Sequence, residues 1–288
     1  MPPTLGNNPE SESAEACLHL AMVNKLRMFL RTHLNEHLKA STQTLAAMFV
    51  ENVQYTKEEV ELIERQTVGQ NENTIWHELR KGIITASQFR QVTSRANTLL
   101  KDPSADPTKT VDKILGEGTV PSEDLPALQW GRKKEGKARE MYRAIERRKH
   151  KHLNVRVPGL RVDDRRPFIG CSTDGVVTCL CKPKHQPKLL EIKCPFAWRD
   201  KSPKDAAKDK GCQEVDGKWS LTDTSMYYAQ IQGQMGIYQL QECDLVIYTK
   251  QGIQIITVTY NEQYFFHMVE KLNVFFQKYV VPRLLAIA

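Results

Sequence analysis

No run of residues in this 288-residue sequence approaches the length of a membrane-spanning helix, so membrane-embedded functions are excluded. The start, Met1-Pro2-Pro3-Thr4-Leu5-Gly6-Asn7-Asn8, lacks the basic and apolar regions of a secretory signal, and an intracellular, non-secreted protein is expected. Cysteine is sparse and without rhythm. The seven residues are an odd count, which points to reduced thiols and away from a disulfide framework. None follows Cys243, so an iron–sulfur nuclease lacks a ligand to complete its cluster. The tightest group is Cys179-x-Cys181 with His185 nearby. Zinc there would need a fourth ligand, for which Cys194 and Cys212 are candidates. Structural zinc usually shows paired Cys-x₂₋₄-Cys knuckles, so a strand end and loop that carry thiols is the favoured reading. No internal repeat is present.

What is present is an ordinary globular composition with an uneven charge. Hydrophobic residues make up 40%, enough for a core. The formal charge is +7, yet residues 126–200 alone carry an excess of 11, with 19 Lys and Arg against 8 Asp and Glu. A basic patch that surrounds carboxylates favours a phosphate backbone as ligand.

Residues 1–12, rich in Pro, Asn, Glu and Ser, read as disordered. Leu20, Val23, Leu26, Leu30 and Leu34 recur at helical spacing and predict one helix over 13–39, followed by a second over 43–53. Thr56-Lys57-Glu58-Glu59 is a capping box that opens a third helix. Residues 13–70 thus read as a helical accessory region ahead of a main domain over 71–288. Gly82 breaks the next helix, and Thr85-x-x-Gln88 is a second capping box that places Ser87 at a helix start. Such a position suits a phosphate, although a serine there is far more often only a cap. Residues 101–125 read as a connection. A helix over 126–148 presents the stripe Leu128, Gly131, Glu135, Ala138, Tyr142, Ile145, with Glu135 on its inward face. Strands are expected near 152–157, 167–171, 175–179 and 188–194, an exposed polar loop over 199–219, a helix over 225–240, a strand pair over 244–260, and a last helix from Glu262 to Tyr279. Strands among helices imply an α/β core.

The chemistry concentrates in 170–194. Asp174 lies in Gly170-Cys171-Ser172-Thr173-Asp174-Gly175, and the apolar strand that follows carries Glu191-Ile192-Lys193. Residues i and i+2 of a strand share a face, so Glu191 and Lys193 point one way while Leu190, Ile192 and Cys194 point the other. Two carboxylates and a lysine on a hairpin form a metal-binding arrangement of the kind nucleases use. Asp174, Glu191, the Ile192 carbonyl and Glu135 supply the oxygen ligands that Mg²⁺ prefers. Lys193 would orient the attacking water and stabilise negative charge.

Five ordered blocks carry a resemblance. They are Trp76-His77-x-x-Arg80-x-Gly82-x-Ile84-Thr85-Ala86-Ser87, Trp130-Gly131-x-x-x-Glu135, Ser172-Thr173-Asp174-Gly175, Glu191-Ile192-Lys193-Cys194-Pro195, and Tyr227-Tyr228-x-Gln230-x-Gln232-Gly233-Gln234. Over residues 74–260 the chain resembles the YqaJ-type viral recombinases, the family of phage lambda exonuclease. The fold this implies is a PD-(D/E)xK restriction-endonuclease-like core, a mixed central sheet flanked by helices, here with an N-terminal helical extension. The activity it implies is a 5′→3′ exonuclease that degrades one strand of linear duplex DNA with two Mg²⁺, with Mn²⁺ substituting, and leaves 3′ single-stranded tails for recombination. Glu135, Asp174, Glu191 and Ile192 then fall at metal positions, Lys193 and Gln230 at catalytic ones, and Arg80, Ser87, Ser172 and Tyr227 at 5′-phosphate and DNA positions. The partners it implies are 5′-phosphorylated DNA ends, a single-strand annealing protein and a homotrimer, in the nucleus or cytoplasm of a host cell. Thr173, where the family often has proline, and the insert at 199–219 are departures. The same residues also allow a structure-specific or nicking endonuclease of this fold, or a DNA-binding module without catalysis. An end-phosphate set argues for the exonuclease, because internal cutting has no use for one.

Overall fold

The computed structural model describes residues 9–33, 40–118, 122 and 125–288. The expected disorder of residues 1–8 and the expected continuation of the first helix through Leu34 to Lys39 lie outside the described residues. Helix α1 (Pro9–Leu18) begins inside the stretch read as disordered. The single helix expected over 13–39 is split, because the backbone tightens into Leu20 N–H to Cys17 O and Ala21 N–H to Leu18 O bonds before α2 (Met22–Thr32). The Asn24 amide also claims the Leu18 carbonyl, at 3.0 Å. Then come α3 (Thr42–Asn52) and α4 (Lys57–Gln66), the latter opened by the expected capping box of Thr56 and Glu59.

Helix α5 (Thr74–Leu79) stops before Gly82, whose φ of +78° suits glycine. Strand β1 (Ile84–Thr85) leads through the Thr85/Gln88 capping box into a 3₁₀ turn and α6 (Phe89–Lys101). The connection expected over 101–125 contains a helix, α7 (Thr108–Leu115). Val111, Ile114 and Leu115 bury one face of it, and Gly116 closes it in the left-handed conformation. Next are α8 (Pro126–Glu146), β2 (Asn154–Arg156), β3 (Arg161–Val162), β4 (Ile169–Cys171), β5 (Gly175–Thr178) and β6 (Lys188–Lys193).

The segment 199–219 is not the loop expected. It forms α9 (Pro203–Asp209) and the hairpin β7 (Cys212–Val215) and β8 (Lys218–Leu221). Ser202 caps the helix, Ala206, Ala207 and Cys212 are buried, and Asp216-Gly217 supplies two positive-φ residues, as a tight hairpin turn requires. The chain ends with α10 (Tyr228–Tyr238), β9 (Glu242–Thr249), β10 (Gly252–Thr259), α11 (Glu262–Phe275), a π-helical turn over Phe276–Val280, and α12 (Val281–Leu285). Among the described residues no helix is long and apolar enough to cross a membrane.

Two compact units result. The first holds Met1–Gly118, Gly159–Ser172 and Val269–Ala288, so the helices of 13–70 belong with those up to 118. Its small sheet runs β1-β4-β3, with β1 parallel to β4 and β3 antiparallel to it. The Phe168 ring stacks on Phe276 at 5.4 Å.

The second unit holds Thr119–Pro158 and Thr173–Met268 around a mixed sheet in the order β10-β9-β6-β5-β2. Strands β6 and β9 are parallel and the other pairs antiparallel. Leu190 and Ile192 pack with Ala138 and Tyr142 of α8, with Cys194 at the edge, as the alternation predicts. On the other face Leu189, Leu245 and Ile247 pack with Ile231 and Met235 of α10. Each such fully buried side chain contributes about 1.5–3 kcal/mol.

The inward stripe of α8 keeps the expected Ala138 and Tyr142 and runs on to Glu146. Its buried residues are Ala138, Tyr142 and Glu146, Leu128 is exposed, and the Glu135 side chain is 40% exposed. A polar cluster meets the stripe at Tyr142. The Tyr142 hydroxyl donates to Asp244 Oδ2 at 2.6 Å, Thr257 donates to Oδ1 at 2.7 Å, and Lys188 Nζ lies 2.5 Å from Oδ2. Burial comes first, and the Asp244 charge next, in pushing the Tyr142 hydroxyl far above its usual range.

Candidate active site

In the second unit the β5–β6 hairpin and α10 build a polar group around Glu191. Tyr227, Gln230 and Gln234 recur at three and four residues, which puts them on one side of the helix. Gln230 Nε2 and Lys193 Nζ both donate to Glu191 Oε1 at 2.6 Å, and Gln234 Nε2 donates to Oε2 at 2.7 Å. Lys193 also donates to Gln230 Oε1 at 3.0 Å, and its ammonium lies 5.1 Å from the Tyr227 ring centroid. Burial works against the charge on Lys193. The neighbouring Glu191 and then Asp174 outweigh it and raise the pKa, so the side chain is an ammonium.

Asp174 precedes β5 and is fastened by its neighbours. Its Oδ2 accepts the Ile192 N–H at 2.6 Å, and the Thr173 hydroxyl donates to the Leu190 carbonyl at 2.8 Å. The threonine therefore ties the turn to β6, a stiffening that proline would supply by its ring. Gly175 is required by close packing, because a Cβ there would lie 2.9 Å from Val155 Cγ1. Among the described residues nothing donates to Asp174 Oδ1. Burial, then Glu191, then Glu135 hold the Asp174 carboxyl well above the usual carboxylate range. Glu135 lies on α8, partly exposed. It forms an ion pair with Arg139, whose Nε donates to the Asp174 carbonyl at 3.0 Å. An oxygen-only donor set with one open carboxylate oxygen and surplus negative charge fits a hard divalent cation.

The first unit holds a second group. The Arg80 guanidinium carbon sits 3.9 Å from the Trp76 ring centroid, and Nη2 reaches Thr85 Oγ1 at 3.4 Å. Trp76 Nε1 donates to Ser172 Oγ at 2.8 Å, and Thr85 Oγ1 lies 3.3 Å from Ser87 Oγ. Arg80, Ser87 and Ser172 are thus joined through Trp76 and Thr85. Burial lowers the Arg80 pKa to about 10, and among the described residues no carboxylate pairs with it. A half-buried guanidinium without an acid fits an anion. Tyr227, at a DNA position by the resemblance, is the ring beside Lys193 in the second unit.

Sequence reasoning assigned no site role to Gln234 or Trp76, and gave Thr85 only that of a helix cap. The four-residue spacing of Gln230 and Gln234 was the available signal for the first. Nothing local pointed to the Trp76–Ser172 bond, which spans 96 residues.

A mixed sheet whose hairpin carries an acid before one strand and Glu-x-Lys on the next, with a glutamine-bearing helix over that face, has a PD-(D/E)xK-like nuclease architecture. The chain belongs to the YqaJ-like viral recombinase domain family, whose model matches residues 75–241. The fold is also that of solved alkaline exonucleases. It is similar to an alkaline exonuclease from Laribacter hongkongensis, with 21% identity, a TM-score of 0.51, and 74% of this chain and 98% of that one covered. It is likewise similar to the shutoff and exonuclease protein of Kaposi's sarcoma-associated herpesvirus, with 12% identity, a TM-score of 0.50, and 99% and 97% covered. The RNA complex of that viral protein matches at 11% identity and a TM-score of 0.51, over 95% and 91% of the two chains. No curated protein matches the chain significantly.

Proposed function

We propose that this protein is a metal-dependent 5′→3′ exonuclease that degrades one strand of linear double-stranded DNA and leaves 3′ single-stranded tails for recombination. The observation that carries the reading is the open Asp174 Oδ1 beside buried Glu191 and the ammonium of Lys193. Asp174, Glu191, the Ile192 carbonyl and Glu135, the last shared with Arg139, would hold two Mg²⁺, or Mn²⁺ in their place. When bound, the metal supplies an activated water and neutralises charge on the phosphoryl oxygens.

The protein's own groups do the rest. Lys193 keeps its charge at neutral pH, orients the attacking water and stabilises the negative charge that develops. Gln230 holds Lys193 with its oxygen and Glu191 with its nitrogen, so both keep one orientation. Arg80 pairs with a 5′-terminal phosphate, and the Ser87 and Ser172 hydroxyls donate to it. Tyr227 contacts the nucleotide next to Lys193. A single-strand annealing protein that takes up the 3′ tails and a homotrimeric assembly complete the proposal.

The test is a time course with Mg²⁺ on 5′-phosphorylated linear, 5′-hydroxyl linear and circular duplex, with Lys193→Ala as control and an RNA arm. Loss of nucleotides from 5′-phosphorylated ends, fastest of all substrates, is expected. Equal cutting of circular and linear DNA would favour the structure-specific or nicking endonuclease. DNA binding with no cutting of any substrate would favour the inactive module.

A further inference from the structure

Four metal-ligating side chains of the second unit meet away from the carboxylates described above. They are His150, Cys179, Cys181 and His185, and their ligand atoms all lie within 4.8 Å of one another. We propose that they form a structural zinc site. Cys194 and Cys212, the sequence's candidates for a fourth ligand, are not part of it; His150 takes that place.

The distances fit a tetrahedron. Zinc bonds of about 2.3 Å to sulfur and 2.0–2.1 Å to nitrogen give edges of roughly 3.3 Å for N···N and 3.6 Å for S···N. The structure has His150 Nδ1 to His185 Nδ1 at 3.1 Å, Cys179 Sγ to His185 Nδ1 at 3.4 Å, and Cys181 Sγ to His150 Nδ1 at 3.8 Å. Both imidazoles turn the same nitrogen toward the common centre.

The surroundings are those of a metal site. The other nitrogen of His150, Nε2, lies 3.4 Å from Glu146 Oε2. A carboxylate in that place fixes the tautomer and raises the basicity of a metal-bound imidazole. The Lys151 N–H donates to Cys181 Sγ at 3.1 Å, which suits a thiolate. Four protein ligands leave no position open for substrate, so the site is structural.

Its place in the fold gives it a role. His150 follows α8, and the other three ligands come from the β5–β6 connection. Strand β2 pairs with β5 in the register Asn154↔Thr178, and Leu180 N–H donates to Lys151 O at 2.8 Å. The metal clips the far end of the hairpin that carries Asp174 and Glu191 to the end of the helix that carries Glu135.

The full chain, purified reduced and without chelator, tests this by its metal content and its X-ray absorption at the zinc edge. One zinc per chain with two sulfur and two nitrogen neighbours is expected. It is retained in Asp174→Asn and lost in Cys181→Ser. Glu146→Gln should weaken zinc about 10–100-fold. Reduced apoprotein titrated with Co²⁺ should give a tetrahedral dithiolate spectrum that saturates at one equivalent, and this readout needs no variant to fold. A chain that holds no zinc and gives no such spectrum overturns the proposal. So does zinc with only oxygen and nitrogen neighbours, or zinc that survives Cys181→Ser and leaves with Asp174→Asn.

Discussion

The backbone N–H of Ile192 donates to the carboxylate of Asp174 at 2.6 Å. This bond fastens the acid before β5 to the peptide between Glu191 and Lys193. Asp174 is therefore oriented by the same strand that carries its two partners, and the open Oδ1 is held in place by what binds Oδ2.

Lys193→Ala should lower the rate on linear duplex roughly 10²–10³-fold, the usual loss for a removed charge-stabilising donor. Gln230→Ala should lower kcat by less, because it removes a group that holds Lys193 and Glu191. Steady-state kinetics beside a circular dichroism melt separates these losses from unfolding. Equal rates for Lys193→Ala and wild type would exclude the assigned role.

Arg80→Ala should abolish the difference in rate between 5′-phosphorylated and 5′-hydroxyl duplex while cutting persists. The guanidinium has no carboxylate among the described residues to pair with, and the proposed end phosphate is the partner it would lose. A phosphate preference that survives the substitution would place the end-binding group elsewhere. Parallel time courses on the two substrates read it directly.

Without metal, the contribution of Asp174 to stability should fall as the pH rises. The Asp174 carboxyl is raised by burial, then by Glu191 and Glu135, so the folded chain binds its proton more tightly than the unfolded chain does. The penalty is absent below the ordinary carboxylate pKa, grows as the pH passes up to the raised value, and is fully present above it. In chelator at neutral pH, Asp174→Asn should therefore melt at a higher temperature than wild type, with the gap closing in acid. Melts between about pH 4 and pH 8 check this, and a gap independent of pH contradicts it.

Asp244→Ala should destabilise the second unit by about 3–5 kcal/mol, since Lys188 is left half-buried without its closest carboxylate. Tyr142→Phe removes one donor to the same acid and should cost about 1–3 kcal/mol. Urea unfolding of both variants ranks them, and the reverse order would mean that the hydroxyl matters more than the ion pair.

The features legible from the sequence are those with short-range causes. The alternation of Glu191 and Lys193 against Leu190 and Ile192 follows from the two-residue period of a strand. The boxes at Thr56/Glu59 and Thr85/Gln88 close within four residues. The mixed α/β class and the order of the motifs were readable for the same reason. Tertiary packing decided the rest. Tyr142 and Glu146 of α8 meet Asp244 and Lys188, more than 40 residues away in sequence, and no local signal marked Glu146 as the buried acid of the helix. In 199–219 a few small apolar residues lie among charges, and only the core they fill marks them as α9 and a hairpin. His150 is 29 residues from Cys179, and nothing local links them. The antiparallel register of β2 on β5 brings them together, because strand pairing fixes distance in space without regard to distance along the chain.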